Sequence, residues 1–130
     1  MRCAMAMLLM VSAAPAAEWE LVWSDEFDTP GLPDPKKWDC AEGFIRNREL
    51  QYYTRGRKEN ARVENGMLII EARKEKYKNA RYREGAKDWK RSRRFARYTA
   101  ANLVTKNKAA WRYGRVAVRA KLPTGRGMWP

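Results

Sequence analysis

The chain has 130 residues, 45% hydrophobic and 12% aromatic, with 28 Lys and Arg against 15 acids and a net charge of +13. That is too apolar for a disordered chain and too interrupted for a membrane protein; the length suits one domain, or part of a β-sandwich of roughly 200–250 residues. The absence of histidine excludes a Ser-His-Asp or Cys-His nucleophile and a histidine-ligated zinc, and two cysteines exclude a four-cysteine zinc site and a disulfide framework.

In chain order, Met1-Arg2 is a short positive start. Residues 4–14 (AMAMLLMVSAA) are apolar but too few to span a bilayer as a helix, and Ala14-Pro15-Ala16 is an A-x-A pattern. This order predicts a signal peptide over residues 1–16 and a secreted or periplasmic protein. The other reading is an apolar tail or a small core helix. Cleavage after Ala16 takes Arg2 and Cys3 away, so the +13 becomes +12 and Cys40 is left alone. Cys40 is then expected as a small buried hydrophobe rather than a nucleophile.

The remainder reads as strands. Trp19, Leu21 and Trp23 alternate with Glu20 and Val22, which predicts a strand. Residues 28–39 (DTPGLPDPKKWD) predict a surface loop, being rich in Pro, Gly and Asp. Residues 61–73 (ARVENGMLIIEAR) predict a hairpin: Asn65-Gly66 lies between two β-prone runs and best tolerates the positive φ angles of a type I′ turn. Residues 98–105 predict a further strand. In 113–122 (YGRVAVRAKL), Val116, Val118, Ala120 and Leu122 share one face, which predicts a half-buried strand ending at Pro123-Thr124-Gly125. No repeat, heptad or amphipathic helix stands out. The fold expected is all-β, an antiparallel sandwich.

The charge is concentrated. Residues 73–97 hold twelve Lys or Arg and three acids, +9 of the total +13. Interleaved Tyr77, Tyr82, Trp89 and Phe95 suit nucleic-acid binding. A solvated connection between two strands is the favoured reading, and export makes an anionic polysaccharide a better partner than DNA.

Few patterns carry chemistry. No G-x-x-x-x-G-K-S/T and no G-x-G-x-x-G is present, and Gly125-Arg126-Gly127 lacks the third glycine. Without histidine, acid–base work falls to carboxylates. Glu26-Phe27-Asp28 places two on one face if the segment is a strand, and a solvated or turn-capping pair otherwise.

Four ordered segments carry a resemblance. Trp23-Ser24-Asp25-Glu26-Phe27-Asp28 opens it, and Asn47-Arg48-Glu49-Leu50-Gln51-Tyr52-Tyr53-Thr54 follows. The hairpin Glu59–Arg73 is the third segment. Tyr113-Gly114-Arg115, Arg119–Pro123 and Gly125–Pro130 make up the fourth. From residue 19 onward the sequence resembles glycoside hydrolase family 16, the laminarinase-like β-glucanases. The resemblance implies a concanavalin A-like jelly-roll sandwich with a concave glycan face. It implies residues 17–130 as the N-terminal part of a catalytic domain that hydrolyses internal β-1,3 or mixed β-1,3/1,4 glucan linkages with retention.

It also implies site residues. Catalysis in this family uses E-x-D-x-x-E on one strand, the first Glu as nucleophile and the last as acid/base, with carboxyls about 5–5.5 Å apart. Only Glu26 here has Asp two residues on, and its fifth residue on is Gly31, so these 130 residues hold no such signature. The chain alone is expected to be inactive, with a non-catalytic glycan-binding remnant as the alternative. Asn47 and Arg48 fall where relatives often carry two asparagines against the sugar, Asn102 falls where many carry arginine, and Trp129 matches a cleft tryptophan. A structural calcium is implied on Glu26 and the Gly66 carbonyl. Calcium takes six to eight oxygens, and a further ligand is expected from a C-terminal strand, so the site is incomplete. The expected partner is a β-glucan or an anionic relative of it, with no membrane or favoured nucleic-acid contact and a monomeric complete domain.

Overall fold

The computed structural model describes residues 18–126. The proposed signal peptide 1–16 and Trp129 lie outside them.

The architecture is all-β. Its strands are β1 (Asp39–Cys40), β2 (Gln51–Tyr53), β3 (Ala61–Glu64), β4 (Met67–Ile70), β5 (Arg73–Lys78), β6 (Phe95–Ala100) and β7 (Leu103–Val104), with one helical turn, α1 (Trp89–Ser92). The central sheet runs β2-β6-β5, β1 pairs with β7, and β3 pairs with β4. All pairs are antiparallel except β2–β6, where Tyr52 lies beside Thr99 in parallel register. A parallel pair needs a long crossover, and residues 54–94 supply it. Together these pieces form part of a sandwich rather than a closed one.

The β3–β4 hairpin forms as predicted. Asn65 and Gly66 sit at φ 53° and 70°, and the register runs from Ala61↔Ile70 to Glu64↔Met67. The loop predicted over 28–39 forms as far as Trp38, with Asp39 already in β1, and a bridge between Gly31 and Val63 lays it along the hairpin edge.

The core is aromatic. Phe44, Tyr52 and Ala96 are buried together, with Tyr77 and Trp89 packed against them. The Phe44 and Tyr52 rings meet edge-to-face at 5.5 Å, and Tyr77 lies 5.3 Å from Tyr52. Such pairs add about 0.5–1.5 kcal/mol beyond their area. A second anchor is polar and centres on Asn60, which is fully buried. Its Nδ2 donates to the Glu71 carbonyl and to Thr99 Oγ1, and its Oδ1 accepts from Thr54 Oγ1 at 2.8 Å. One side chain thereby ties β2's end, the hairpin and β6 together.

Several expectations need correction. Residues 19–23 form no strand: Leu21 and Val22 are exposed, and no ladder partner lies beside them among the described residues. The same holds for 113–122, where Val116 and Val118 are 82% and 81% exposed. Alternation orders the side chains, but a strand also needs a second edge to take its N–H and C=O groups. Phe27 sits at φ 58°, so Glu26 and Asp28 do not share a strand face. The 98–105 run breaks at Ala101-Asn102 into β6 and β7. The basic segment is only partly a connection, since β5 and the first half of β6 are built from it. Cys40 is half-buried on β1 rather than fully buried.

Candidate functional site

The opening motif acts through Asp25. Its carboxylate accepts from the Phe27 amide at 3.2 Å, from Trp38 Nε1 at 2.6 Å and from Lys37 Nζ at 3.3 Å. Burial raises the Asp25 carboxyl, but these three donors outweigh burial, and it lies below the usual carboxylate range. The loop is pinned at its far end by one side chain, with Phe27 held in a left-handed turn. Trp23 then packs edge-on against Trp38 and Trp111, each at 5.4 Å. The sequence reading quoted Asp25 in a motif and gave it no role. Only the fold brings Trp38 and Lys37 to it.

Segment 39–49 carries the first pair of implied glycan residues. It is stitched along its length: Cys40 pairs with Leu103, the Ala41 amide donates to the Asn102 carbonyl at 2.9 Å, and Gly43 exchanges two backbone bonds with Tyr53. Asn47 and Arg48 follow in an exposed turn with consecutive left-handed φ values of 53° and 52°. Asn tolerates that region because its short polar side chain can bond locally; an arginine there is uncommon. The turn closes with the Glu49 amide donating to the Arg46 carbonyl at 3.1 Å. Asn102 is half-buried between β6 and β7. It is joined to this segment through its backbone, and among the described residues no hydrogen bond joins its side chain to Asn47 or Arg48. Amides at these positions can donate to and accept from sugar hydroxyls.

The two implied calcium positions are both exposed, Glu26 within the opening motif and Gly66 at the hairpin tip. Among the described residues no three His, Cys, Asp or Glu side chains converge as a metal cage. One carboxylate and one carbonyl fall short of calcium's six to eight oxygens. These residues do not fit the ion by themselves.

A charged cluster missed by the sequence reading sits behind β6. Arg57 grips Glu75 through two N–H donors, at 2.6 and 3.0 Å, and Thr99 Oγ1 also donates to Glu75. These bonds, the Arg57 pair first, hold the Glu75 carboxyl at about 2. A register shift between Lys74 and Tyr77 adds one residue to β5 at the level of Glu75. No sequence pattern signals this pair, since eighteen residues separate its members.

The folded part is thus an incomplete all-β sandwich with an amide-bearing turn and no assembled acid pair. No protein-family model matches the chain. It is 56% identical over 117 residues to a β-glucanase of Rhodothermus marinus, an alignment covering 88% of this chain and 35% of that protein. The X-ray structure of the laminarinase from Rhodothermus marinus superposes with a TM-score of 0.59 over 75% of this chain and 33% of that one, at 56% identity. A non-specific endo-β-1,3(4)-glucanase of family GH16, SCLam, superposes with a TM-score of 0.59 at 42% identity, covering 78% of this chain and 36% of the other. The chain is therefore similar over most of its length to a laminarinase and to a family GH16 glucanase, and it spans about a third of the length of the Rhodothermus enzyme.

Proposed function

We propose that the chain is part of a secreted domain that hydrolyses β-1,3 or mixed β-1,3/1,4 glucans, and that its share of the work is to hold the glycan. The observation that carries this is the 56% identity to a β-glucanase across 117 residues. In the family this sequence resembles, the acid pair of the retaining mechanism sits on an E-x-D-x-x-E strand, which these 130 residues do not contain. What they offer is amides: Asn47 on its exposed turn and Asn102 at the β6–β7 break. The family's arginine charge is absent at Asn102, so recognition there rests on neutral hydrogen bonds. Arg48 replaces a neutral amide and brings a cation beside Asn47. Trp129 would offer an aromatic face to sugar C–H groups. Export follows from the residue 1–16 pattern, and the N-terminal residue of the mature protein would report it.

The test has two parts. Incubated with laminarin, the 130-residue chain should release no reducing ends above buffer, yet it should be retarded in gels containing laminarin. Reading the source DNA past codon 130 should show an in-frame E-x-D-x-x-E. Hydrolysis by these residues alone, or a frame lacking that signature, would overturn the proposal.

A further inference from the structure

The described residues hold two kinds of arginine. Arg57, Arg62 and Arg73 each bond a carboxylate within 3.0 Å. Arg81 and Arg83 enter none of the ion pairs formed among the described residues, and Arg91 has only exposed Asp88 at 3.8 Å. All three are exposed, and with Ala80 and Tyr82 they line one open hollow.

The hollow is built rather than accidental. Asn79 is 2% exposed, and its side chain closes the β5–β6 connection. Its Nδ2 donates to the Lys90 and Arg93 carbonyls at 2.9 and 2.8 Å, and its Oδ1 accepts from the Arg81 amide at 2.9 Å. The backbone adds Asn79 N to Arg94 O at 3.1 Å and Arg83 N to Arg91 O at 3.0 Å. The last bond sets Arg83 opposite Arg91. Three arginines thus line one hollow at fixed backbone positions, and a concave cluster of guanidinium-bearing side chains attracts an oxyanion.

We propose that Arg81, Arg83 and Arg91 form a binding site for sulfate or carboxylate groups on a polysaccharide. This rests on the glycan reading above and adds a charged class of ligand and a location. Two observations favour a glycan. The connection is docked on the segment carrying Asn47 and Arg48: a Cβ on Gly43 would lie 3.7 Å from the Arg81 guanidinium carbon, and Arg93 Nη1 donates to the Glu49 carbonyl at 3.2 Å. Three of the four aromatic rings that nucleic-acid binding would use are also committed elsewhere, and Tyr82 is left on the hollow. Tyr77 and Trp89 pack on the core, and Phe95 is covered by Lys76 at 4.4 Å and by Arg94. Base stacking requires open ring faces.

The experiment titrates the 130-residue chain with laminarin, with chemically sulfated laminarin and with a single-stranded oligonucleotide, at about 50 mM and about 300 mM salt. Sulfated laminarin should bind at least about ten-fold more tightly than laminarin at low salt, with the advantage shrinking at high salt. The triple variant R81A/R83A/R91A should lose that advantage and keep its laminarin affinity. The variant R112A/R115A/R119A, which removes the same charge from exposed positions, should retain it. The site is refuted if the triple variant keeps the advantage, if the control loses it equally, or if the oligonucleotide binds as tightly with the same arginine dependence. Arginine-dependent binding of sulfated laminarin without any laminarin binding would uphold the site and overturn the neutral-glucan reading. Binding of neither polymer would overturn both.

Discussion

Residues 61–70 and 113–122 are both predicted as strand from their sequence. The first becomes a paired hairpin, and the second stays extended and exposed among the described residues. The difference is the supply of a partner. Asn65-Gly66 folds the chain back on itself, so β3 finds β4 within two residues, and the Gly31 bridge and Asn60 then lock the hairpin to the rest. Nothing local does this for 113–122. Alternation states which face a strand will bury, and turn chemistry or a distant segment decides whether a strand exists.

Substitutions should scale with this contrast. The largest effect is expected at Tyr52, whose ring fills the space between Phe44, Tyr77 and Ala96. Tyr52→Ala should lower stability by about 3–5 kcal/mol, seen as a lower urea midpoint. Asn60→Ala comes next. It leaves Thr54, Thr99 and the Glu71 carbonyl short of a partner and should cost about 2–3 kcal/mol. If Asn60→Ala matches an exposed substitution instead, the polar anchor is not what holds the hairpin.

Third is the acid limb. Glu75 titrates near 2 in the folded chain, below its ordinary 4.5. A depressed carboxylate stabilises the fold fully above the ordinary value, and that stability is lost as pH falls from 4.5 toward about 2. Acid unfolding of Glu75→Gln should show a shallower loss across this window, and an unchanged slope would assign the acid sensitivity to other carboxylates. Smallest is Gly66→Ala at φ 70°, which should cost about 1 kcal/mol for a left-handed position, while Val118→Ala should stay within about 0.5 kcal/mol. A larger effect at Val118 would mean that 113–122 is packed after all, which would remove the contrast.

The residues proposed to hold glycan split along the same line. Asn47, Arg48 and Asn102 were named through resemblance to a family, and the fold shows how they are presented. A double left-handed turn exposes the first two, and a backbone bond from Ala41 fixes the third. The hollow of Arg81, Arg83 and Arg91 had no such route. As sequence, those residues are three cations among twelve, and most basic runs are simply solvated.

What sequence alone determined here is what short-range chemistry dictates. Glycine and asparagine in a two-residue turn set the hairpin, proline and aspartate set the 28–38 loop, and β-branched and aromatic runs set the all-β class. The absence of histidine and of E-x-D-x-x-E limits the chemistry these residues can perform. Tertiary structure alone decided which alternating runs pair, that β2 joins β6 in parallel, that Asp25 meets Trp38, and that Arg57 meets Glu75. Those outcomes depend on contacts between residues far apart in the chain. Their formation is governed by the closing of loops and the burial of a shared aromatic core, and no local pattern records either.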